Sequence, residues 1–167
     1  MNHKAVDRLK EKFGPAILDT KEFRGEVTVT LAKDRLVEVC NYLKTDPELK
    51  FNFLADVTSL DLFEKKTPRF EVNYHLLSHS NKTRVRLKIP VGEGEKAPSV
   101  TGVWSTANWL EREVYDLMGI EFENHPDLRR ILTADGWVGY PLRKDYPLTY
   151  EEPQFTHNRK HPPELLK

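Results

Sequence analysis

Two periods of apolar residues along the first 98 residues predict an order of helices and strands. Spacings of three and four residues indicate a helix that ends at Gly14-Pro15 and a second helix, capped by Asp34, that ends before Pro47. Strict alternation indicates the strands of a half-buried sheet. The apolar positions are Val6, Leu9 and Phe13 in the first helix, Leu36, Val39, Cys40 and Leu43 in the second, and Val27, Val29, Leu31, Phe70, Val72, Tyr74, Leu76, Val85, Leu87 and Ile89 in the strands.

The order of these elements restricts the fold. Two further strands are predicted over residues 17–23 and 51–63, and Arg24-Gly25 fits a hairpin turn because glycine adopts a positive φ without strain. The order is then helix, two strands, helix and three strands. We expect an α+β fold, a two-layer sandwich in which the helices cover one face of the sheet.

The strongest helical pattern lies over residues 99–118. It precedes Gly119, which suits the left-handed residue that ends a helix. Its apolar stripe consists of Val103, Ala107, Leu110, Val114 and Leu117. On a helical wheel, Glu111 falls inside the apolar sector, whereas Arg112, Glu113 and Asp116 fall outside it.

Glu111 is the side chain of this helix that most needs a partner, because a carboxylate facing an apolar layer costs several kcal/mol unless it is paired. It fits either a structural ion pair or a general acid or base with a raised pKa. We favour the ion pair, because no nucleophile, metal cluster or phosphate-binding loop accompanies it. The candidate partners are Arg129, Arg130 and Arg143.

Prolines accumulate after residue 120. Of eleven in the chain, six follow this point, at Pro126, Pro141, Pro147, Pro153, Pro162 and Pro163. Because proline lacks a backbone donor, we divide the chain into an α+β domain over residues 1–122 and an extended C-terminal arm over residues 123–167. Residues 124–148 also carry aromatic, leucine and arginine side chains, which predict a partner surface. The alternative is that they pack over the chain's own domain.

Charge and cysteine content narrow the classes of function. The 26 Lys and Arg residues balance 26 Asp and Glu residues, which argues against a nucleic-acid-binding module such as an RNA-binding α+β domain. Cys40 is the only cysteine, so the chain cannot form an internal disulfide or a Cys-based zinc or iron–sulfur site. No segment has the pattern of a secretory signal or a membrane span.

The histidines do not predict a metal site. His75 and His79 lie four residues apart in strand-like sequence, a separation of about 13 Å, which is too far to share an ion. In the C-terminal arm, His125 fits a turn, and His157 and His161 lack a carboxylate at ligand spacing. The sequence therefore predicts no catalytic, cofactor-binding or metal-binding residue in this chain.

Residues 111–148 carry a long motif that resembles the 30 kDa subunit family of respiratory complex I, the proton-translocating NADH:quinone oxidoreductase. In bacteria this component is called the C subunit. The resemblance rests on E-R-E-x-x-D-x-x-G-I-x-F-x-x-H-P-D-L-R-R-I-L over residues 111–132 and G-x-P-L-R-K-D-Y-P-L over residues 139–148. Residues 99–111 are also similar. The signature residues expected at a partner interface are Glu111, Arg112, Glu113, Asp116, Gly119, His125, Pro126, Arg129, Arg130, Trp137, Pro141, Arg143, Lys144, Asp145 and Tyr146.

The resemblance implies a non-catalytic subunit of the peripheral arm of complex I. FMN, the iron–sulfur clusters and quinone would then belong to other subunits. The implied partner is the D subunit of the complex, which holds the quinone site and would bind along the C-terminal arm. The implied location is the cytoplasmic side of the cell inner membrane, or the matrix side in an organelle, reached only through the complex.

The resemblance also suggests a polar network that fixes the path of the C-terminal arm. The carboxylates and Arg112 of the helix would pair with basic residues of the arm. The members of this expected network are Glu111, Arg112, Glu113 and Asp116 on the helix, and Arg129, Arg130, Arg143 and Lys144 on the arm.

Two alternatives stay open. The first is the equivalent subunit of a plastid or cyanobacterial NDH complex or of a membrane-bound hydrogenase, since the electron-input module lies on other chains. The second is a stand-alone acid–base enzyme that uses Glu111 or Glu113 with His125. The second alternative predicts a concave site that joins those groups.

Overall fold

The computed structural model describes residues 3–148, and none of the helices in that range is long and apolar enough to cross a membrane. The helices are α1 (His3–Phe13), α2 (Leu36–Thr45) and α3 (Ala107–Met118), and the strands are β1 (Ile17–Phe23), β2 (Glu26–Leu31), β3 (Phe53–Asp61), β4 (Phe70–Ser78), β5 (Thr83–Val91), β6 (Ala97–Pro98) and β7 (Phe122–Glu123). The expectations for residues 149–167, including His157 and His161, lie outside the described residues.

Strands β1 to β5 form one sheet in the order β1-β2-β5-β4-β3. Neighbours run antiparallel except β2 and β5, which are parallel. The predicted β1–β2 hairpin is confirmed: Phe23 pairs with Glu26 across a two-residue turn, in which Arg24 and Gly25 have φ values of 52° and 78°. Two positive φ values give the turn a twist that matches that of the strands. Strands β1 and β3 are the edges of the sheet.

One face of this sheet forms the core together with the helices. Val72 pairs with Ile89 and Tyr74 pairs with Leu87, so alternate residues of β4 and β5 line the same buried face. The apolar positions predicted for α1 and α2, including Cys40, are also buried. Apolar burial of this kind is the main stabilising term of the fold. The α+β fold expected from the sequence is confirmed.

Helix α3 is shorter than the predicted helix over residues 99–118. It begins at Ala107, because local side-chain bonds of Ser99 and Thr101 compete with helical hydrogen bonds and residues 102–106 contain turns. The Ser99 and Thr101 hydroxyls lie 2.8 Å apart, and the Thr101 N–H donates to Ser99 Oγ at 3.2 Å. The predicted end is confirmed, since Gly119 has a φ of 70° and its N–H donates to the Tyr115 carbonyl at 2.8 Å.

Two further details differ from the sequence-based expectations. Asp34 does not cap α2: it lies in a 3-10 turn over Lys33–Arg35, and α2 has no side-chain cap. Strands β6 and β7 form a parallel pair that alternation could not reveal, because each has only two residues. Phe122 belongs to this pair, so residues on both sides of the sequence-derived boundary are hydrogen-bonded to the same strand.

Candidate functional site

Residues 124–148 of the C-terminal arm, which follow β7, contain no helix or strand and are fastened to the domain by charged side chains. Asp116 holds its first half on α3, Arg143 holds its second half at the end of α3, and Arg69 of the β3–β4 connection holds Asp145. A backbone bond of 3.0 Å from the Leu142 N–H to the Leu117 carbonyl supports them.

Asp116 is fully buried and accepts hydrogen bonds from three consecutive backbone N–H groups of the arm. Its Oδ2 lies 2.9, 2.7 and 3.0 Å from the nitrogens of Ile131, Leu132 and Thr133. Its Oδ1 accepts the Thr133 hydroxyl at 2.5 Å. Burial raises the pKa of Asp116, but these bonds outweigh it and hold that pKa below its usual range. The wheel places Asp116 outside the apolar sector, and it is buried because the arm covers this side of α3.

Arg130 makes the expected link between the arm and α3. Its Nη1 lies 3.5 Å from Oδ1 of Asp116, and its Nη2 donates to the Gly139 carbonyl at 3.0 Å. The guanidinium also lies 5.0 Å from the centroid of the Tyr140 ring. Arg130 therefore joins two separate stretches of the arm to each other and to the helix.

Arg143 satisfies carbonyl groups left free at the C-terminus of α3. Its Nε donates to the Met118 carbonyl at 2.6 Å, and its Nη2 lies 3.4 Å from the Gly119 carbonyl. Cations are favoured at this end of a helix. The guanidinium stacks on Tyr140 at 4.7 Å from the ring centroid, so the arm closes over Gly119.

Gly119→Ala should destabilise the protein by about 1–3 kcal/mol, because a Cβ at this left-handed position would lie 2.4 Å from the Tyr140 ring. Chemical denaturation followed by circular dichroism measures the change. The matched control is Gly136→Ala, at a φ of 80° with no atom within 4 Å of the added Cβ. An equal loss in both variants would show that the contact with Tyr140 does not constrain residue 119.

Arg69 is the most densely bonded cation of the site. It forms a bidentate pair with Asp61, with Nε–Oδ1 and Nη2–Oδ2 distances of 2.9 and 2.8 Å. It reaches Asp145 of the arm at 2.8 and 3.1 Å, and Glu93 at 3.0 Å. The hydrogen bond to Asp61 raises the pKa of Arg69 above its usual range. Asp61 also accepts the Lys144 N–H at 2.9 Å, so the cluster fixes both the backbone and a side chain of the arm.

Glu111 is fully buried, as the wheel predicts, but the expected ion pair with Arg129, Arg130 or Arg143 is absent. Its Oε2 instead accepts the Ser99 hydroxyl and its Oε1 accepts the Val100 N–H, each at 2.7 Å. The segment predicted as the first turns of the helix folds back onto Glu111, which explains the difference. Burial raises the pKa of Glu111 to about 7, although both hydrogen bonds oppose the shift.

The raised pKa of Glu111 predicts a loss of stability with rising pH. Between its ordinary value of 4.5 and about 7, the unfolded chain releases a proton that the folded chain retains. Wild type should therefore lose about 3 kcal/mol relative to Glu111→Gln between pH 4.5 and pH 8. Unfolding titrations across this range measure the difference. Glu113→Gln, on the exposed side of α3, is the control, and a pH-independent gap between wild type and Glu111→Gln would contradict the assignment.

His125 fixes a turn, as its sequence context predicts. The Asp127 N–H donates to Nδ1 at 3.1 Å, so the ring proton lies on Nε2 and faces the Asn108 carbonyl at 3.2 Å. His125 shares no hydrogen bond with Glu111 or Glu113 in the described residues. The geometry required by the acid–base alternative is therefore absent there.

The outer side of α3 differs from the expected network. Arg112 Nε donates to the backbone carbonyl of Arg129 at 3.0 Å, and its guanidinium lies 5.0 Å from the ring of Trp109. The side chain of Arg129 pairs with Asp127 at 2.6 Å. Of the helix carboxylates, Asp116 alone forms an ion pair with a basic residue of the described arm. The pairings expected for Glu111 and Glu113 are absent from the described residues, whereas Arg112 and Arg129 are joined through a backbone carbonyl group. The side chains of Arg129 and Arg143 bind other acids or carbonyl groups.

The remaining signature residues divide by exposure. Pro126 is exposed and Pro141 is half-buried. Trp137 is half-buried, and its backbone N–H donates to the Ala134 carbonyl at 3.1 Å. Tyr146 is buried, and its hydroxyl donates to the Val138 carbonyl at 3.3 Å. The contacts of Trp137 and Tyr146 join stretches of the arm to one another.

Sequence reasoning missed the cluster around Arg69. Asp61, Glu93 and Asp145 are distant from one another along the chain, and no periodicity connects them. The one available signal was that Arg69 directly precedes a strand with a buried apolar face and has Phe63 and Phe70 close to it in the sequence. In the structure the rings of these two residues lie 4.5 and 4.9 Å from its guanidinium. Within residues 3–148, no group of three His, Cys, Asp or Glu side chains could hold a metal ion.

Comparison with solved structures defines the class of fold. The chain is similar to "Nqo5 of the trypsin-resistant fragment (1-134)", with a TM-score of 0.65 and 36% identity over 74% of this chain and 99% of that one. At this identity and coverage, the two chains share the same α+β architecture.

The family follows from sequence comparison. The family model described as "Respiratory-chain NADH dehydrogenase, 30 Kd subunit" matches residues 29–152. The C subunit of NADH-quinone oxidoreductase from Geobacter sulfurreducens is 57% identical over 88% of this chain and 90% of its own length. The C subunit from Roseiflexus sp. (strain RS-1) is 46% identical over 95% and 91%. The chain belongs to the 30 kDa subunit family of respiratory-chain NADH dehydrogenase, or complex I.

Proposed function

We propose that this chain is a non-catalytic scaffold in the peripheral arm of a proton-translocating NADH:quinone oxidoreductase, and that its C-terminal arm binds the quinone-site subunit. Electron transfer from NADH to quinone, through FMN and iron–sulfur clusters, then takes place on other subunits. The complex holds this chain at the cytoplasmic side of the inner membrane, without a membrane contact of its own.

The observation that carries this proposal is a set of exposed apolar side chains along the arm, whose backbone is fixed to the domain. Leu132 is 60% exposed and Val138 is 47% exposed, and Leu142 and Leu148 of the same arm are also exposed. Large apolar groups on a segment rich in arginine are typical of partner interfaces.

The anchors on the domain make this surface suitable for binding. Asp116 and Asp61 accept hydrogen bonds from backbone N–H groups of the arm. Arg69 binds the Asp145 side chain, and Arg143 of the arm binds the end of α3. These contacts hold the arm before any partner arrives, so the complex forms without ordering that stretch of chain. Preorganisation of this kind improves affinity because less conformational entropy is lost on association. The buried charges thus contribute to the interface by fixing the position of the arm.

The named relatives favour an NADH-fed complex over a hydrogenase-type complex. The Geobacter, Roseiflexus and Rhizobium relatives are all described as C subunits of NADH-quinone oxidoreductase. The NDH-type and hydrogenase-type assemblies remain the second candidate, to be distinguished by the electron-input subunits that co-purify.

The double variant Leu132→Asp/Val138→Asp should reduce co-purification of the quinone-site subunit from native membranes at least tenfold and leave the melting temperature unchanged. Both side chains are exposed, so charged replacements disturb a partner rather than the core. The control is Leu18→Asp, at a residue that is 58% exposed on β1, the opposite edge strand of the sheet. Full recovery of the quinone-site subunit with the double variant would contradict the proposal.

A further inference from the structure

A groove separates the edge strand β3 from helix α3. Thr58 and Ser59 form one wall, Val114 and Leu117 form the other, and Leu142 of the arm closes one end. Its volume is about 230 Å³, which is enough for one or two large apolar side chains. None of the contacts that fasten the arm to the domain fills this space.

The wall formed by β3 is an edge strand, which pairs with β4 on one side and has no strand partner on the other. β3 is the last strand in the order β1-β2-β5-β4-β3, so its hydrogen-bonding groups that point away from β4 face the groove side. An exposed edge of this kind accepts an extended peptide as an additional strand. The opposite wall, built by α3, supplies apolar contacts for alternate side chains of such a peptide.

The charges at the groove have one sign. The ionisable side chains that line it are Asp56 and Glu113. Asp56 lies opposite His75 of β4 and interacts with it electrostatically, but neither carboxylate forms an ion pair or a hydrogen bond in the described residues. Glu113 was expected to join the network of the arm and does not, which leaves a signature carboxylate without a role there. Two unpaired carboxylates at an apolar groove favour an occupant with basic side chains.

We infer that this groove binds an extended segment of a neighbouring subunit, which adds as a strand to β3. An apolar side chain of the segment enters between Leu117 and Leu142, and flanking lysine or arginine residues face Asp56 and Glu113. The inference rests on the proposed function, because the segment belongs to a partner within the complex. Leu142 lines the groove and also belongs to the set of exposed apolar side chains of the arm.

Hydrogen exchange in the purified complex tests the strand addition directly. Backbone amides within residues 56–59 should exchange at least a hundredfold more slowly in the complex than in the isolated chain. Amides of β1, the other edge of the sheet, serve as the internal comparison. Equal exchange of residues 56–59 in both states would overturn the inference. The proposed function would stand if Leu132→Asp/Val138→Asp still lost the quinone-site subunit.

Charge reversal tests the chemistry of the occupant. Asp56→Lys/Glu113→Lys should weaken retention of the neighbouring subunit at least tenfold, whereas Asp56→Asn/Glu113→Gln should have a smaller effect that disappears at high salt. Carbodiimide coupling should join Glu113 or Asp56 to a lysine of an extended segment in that subunit. Unchanged retention after charge reversal, or protection of residues 56–59 in the isolated chain by self-association or by residues 149–167, would overturn the assignment to a partner.

Discussion

Replacing Arg69 by methionine is expected to lower the free energy of unfolding by about 3–5 kcal/mol. The guanidinium is almost fully buried and holds Asp61 and Asp145 at 2.8 Å each. Its removal leaves two carboxylates close together without their common cation, and the loss of one partner of a buried charge cluster costs more than the pair contributes. Chemical denaturation of the isolated chain measures the change.

Arg129→Met provides the matched control for the Arg69 experiment. Arg129 pairs with Asp127 at 2.6 Å, a distance as short as those in the Arg69 cluster, but its side chain is 76% exposed. Exposed ion pairs contribute little to stability because water screens them, so this variant should be nearly as stable as wild type. Similar losses in the two variants would mean that burial does not set the importance of the Arg69 cluster.

Replacing Asp116 by asparagine is expected to cost about 2–4 kcal/mol, although the shape of the side chain is unchanged. Both carboxylate oxygens accept hydrogen bonds from the arm, three at Oδ2 and one from the Thr133 hydroxyl at Oδ1. An asparagine amide must place its NH2 group against one of these sets of donors. The first half of the arm should then detach, so amides of residues 131–133 should exchange faster.

Asp127→Asn is the control for the Asp116 experiment, because Asp127 lies at the surface and pairs with the exposed Arg129. It should be nearly as stable as wild type. If Asp116→Asn behaves in the same way and its arm amides remain protected, the arm does not depend on Asp116.

The sequence predicts most of the sheet and the two N-terminal helices because their signals are local. Alternation at Val72 and Tyr74 reports one buried face, and Gly119 reports the end of α3 through its need for a positive φ. Glu111 is a residue whose burial, but not its hydrogen-bond partners, could be predicted from local signals. The wheel predicts its burial, but its partners lie in a turn that the same periodicity assigns to a helix.

The charged contacts of the arm were predictable only in part. Asp116 and Arg130 belong to one motif and do meet, at 3.5 Å. The cluster of Arg69 with Asp145 joins residues 76 positions apart along the chain, and such pairings depend on how the arm crosses the sheet. A pattern read along the sequence contains no information on that path, so Arg69 was absent from the predicted site.

The central claim is that this chain works as a structural subunit of an NADH-fed quinone oxidoreductase. The most direct measurement is affinity purification of the tagged chain from its native membranes, with mass spectrometry of the co-purifying subunits and their stoichiometry. The account predicts the quinone-site subunit together with flavin- and NADH-binding subunits in equal amounts with this chain. Recovery of the chain alone, or with a hydrogenase large subunit in place of the NADH-binding subunits, would contradict it.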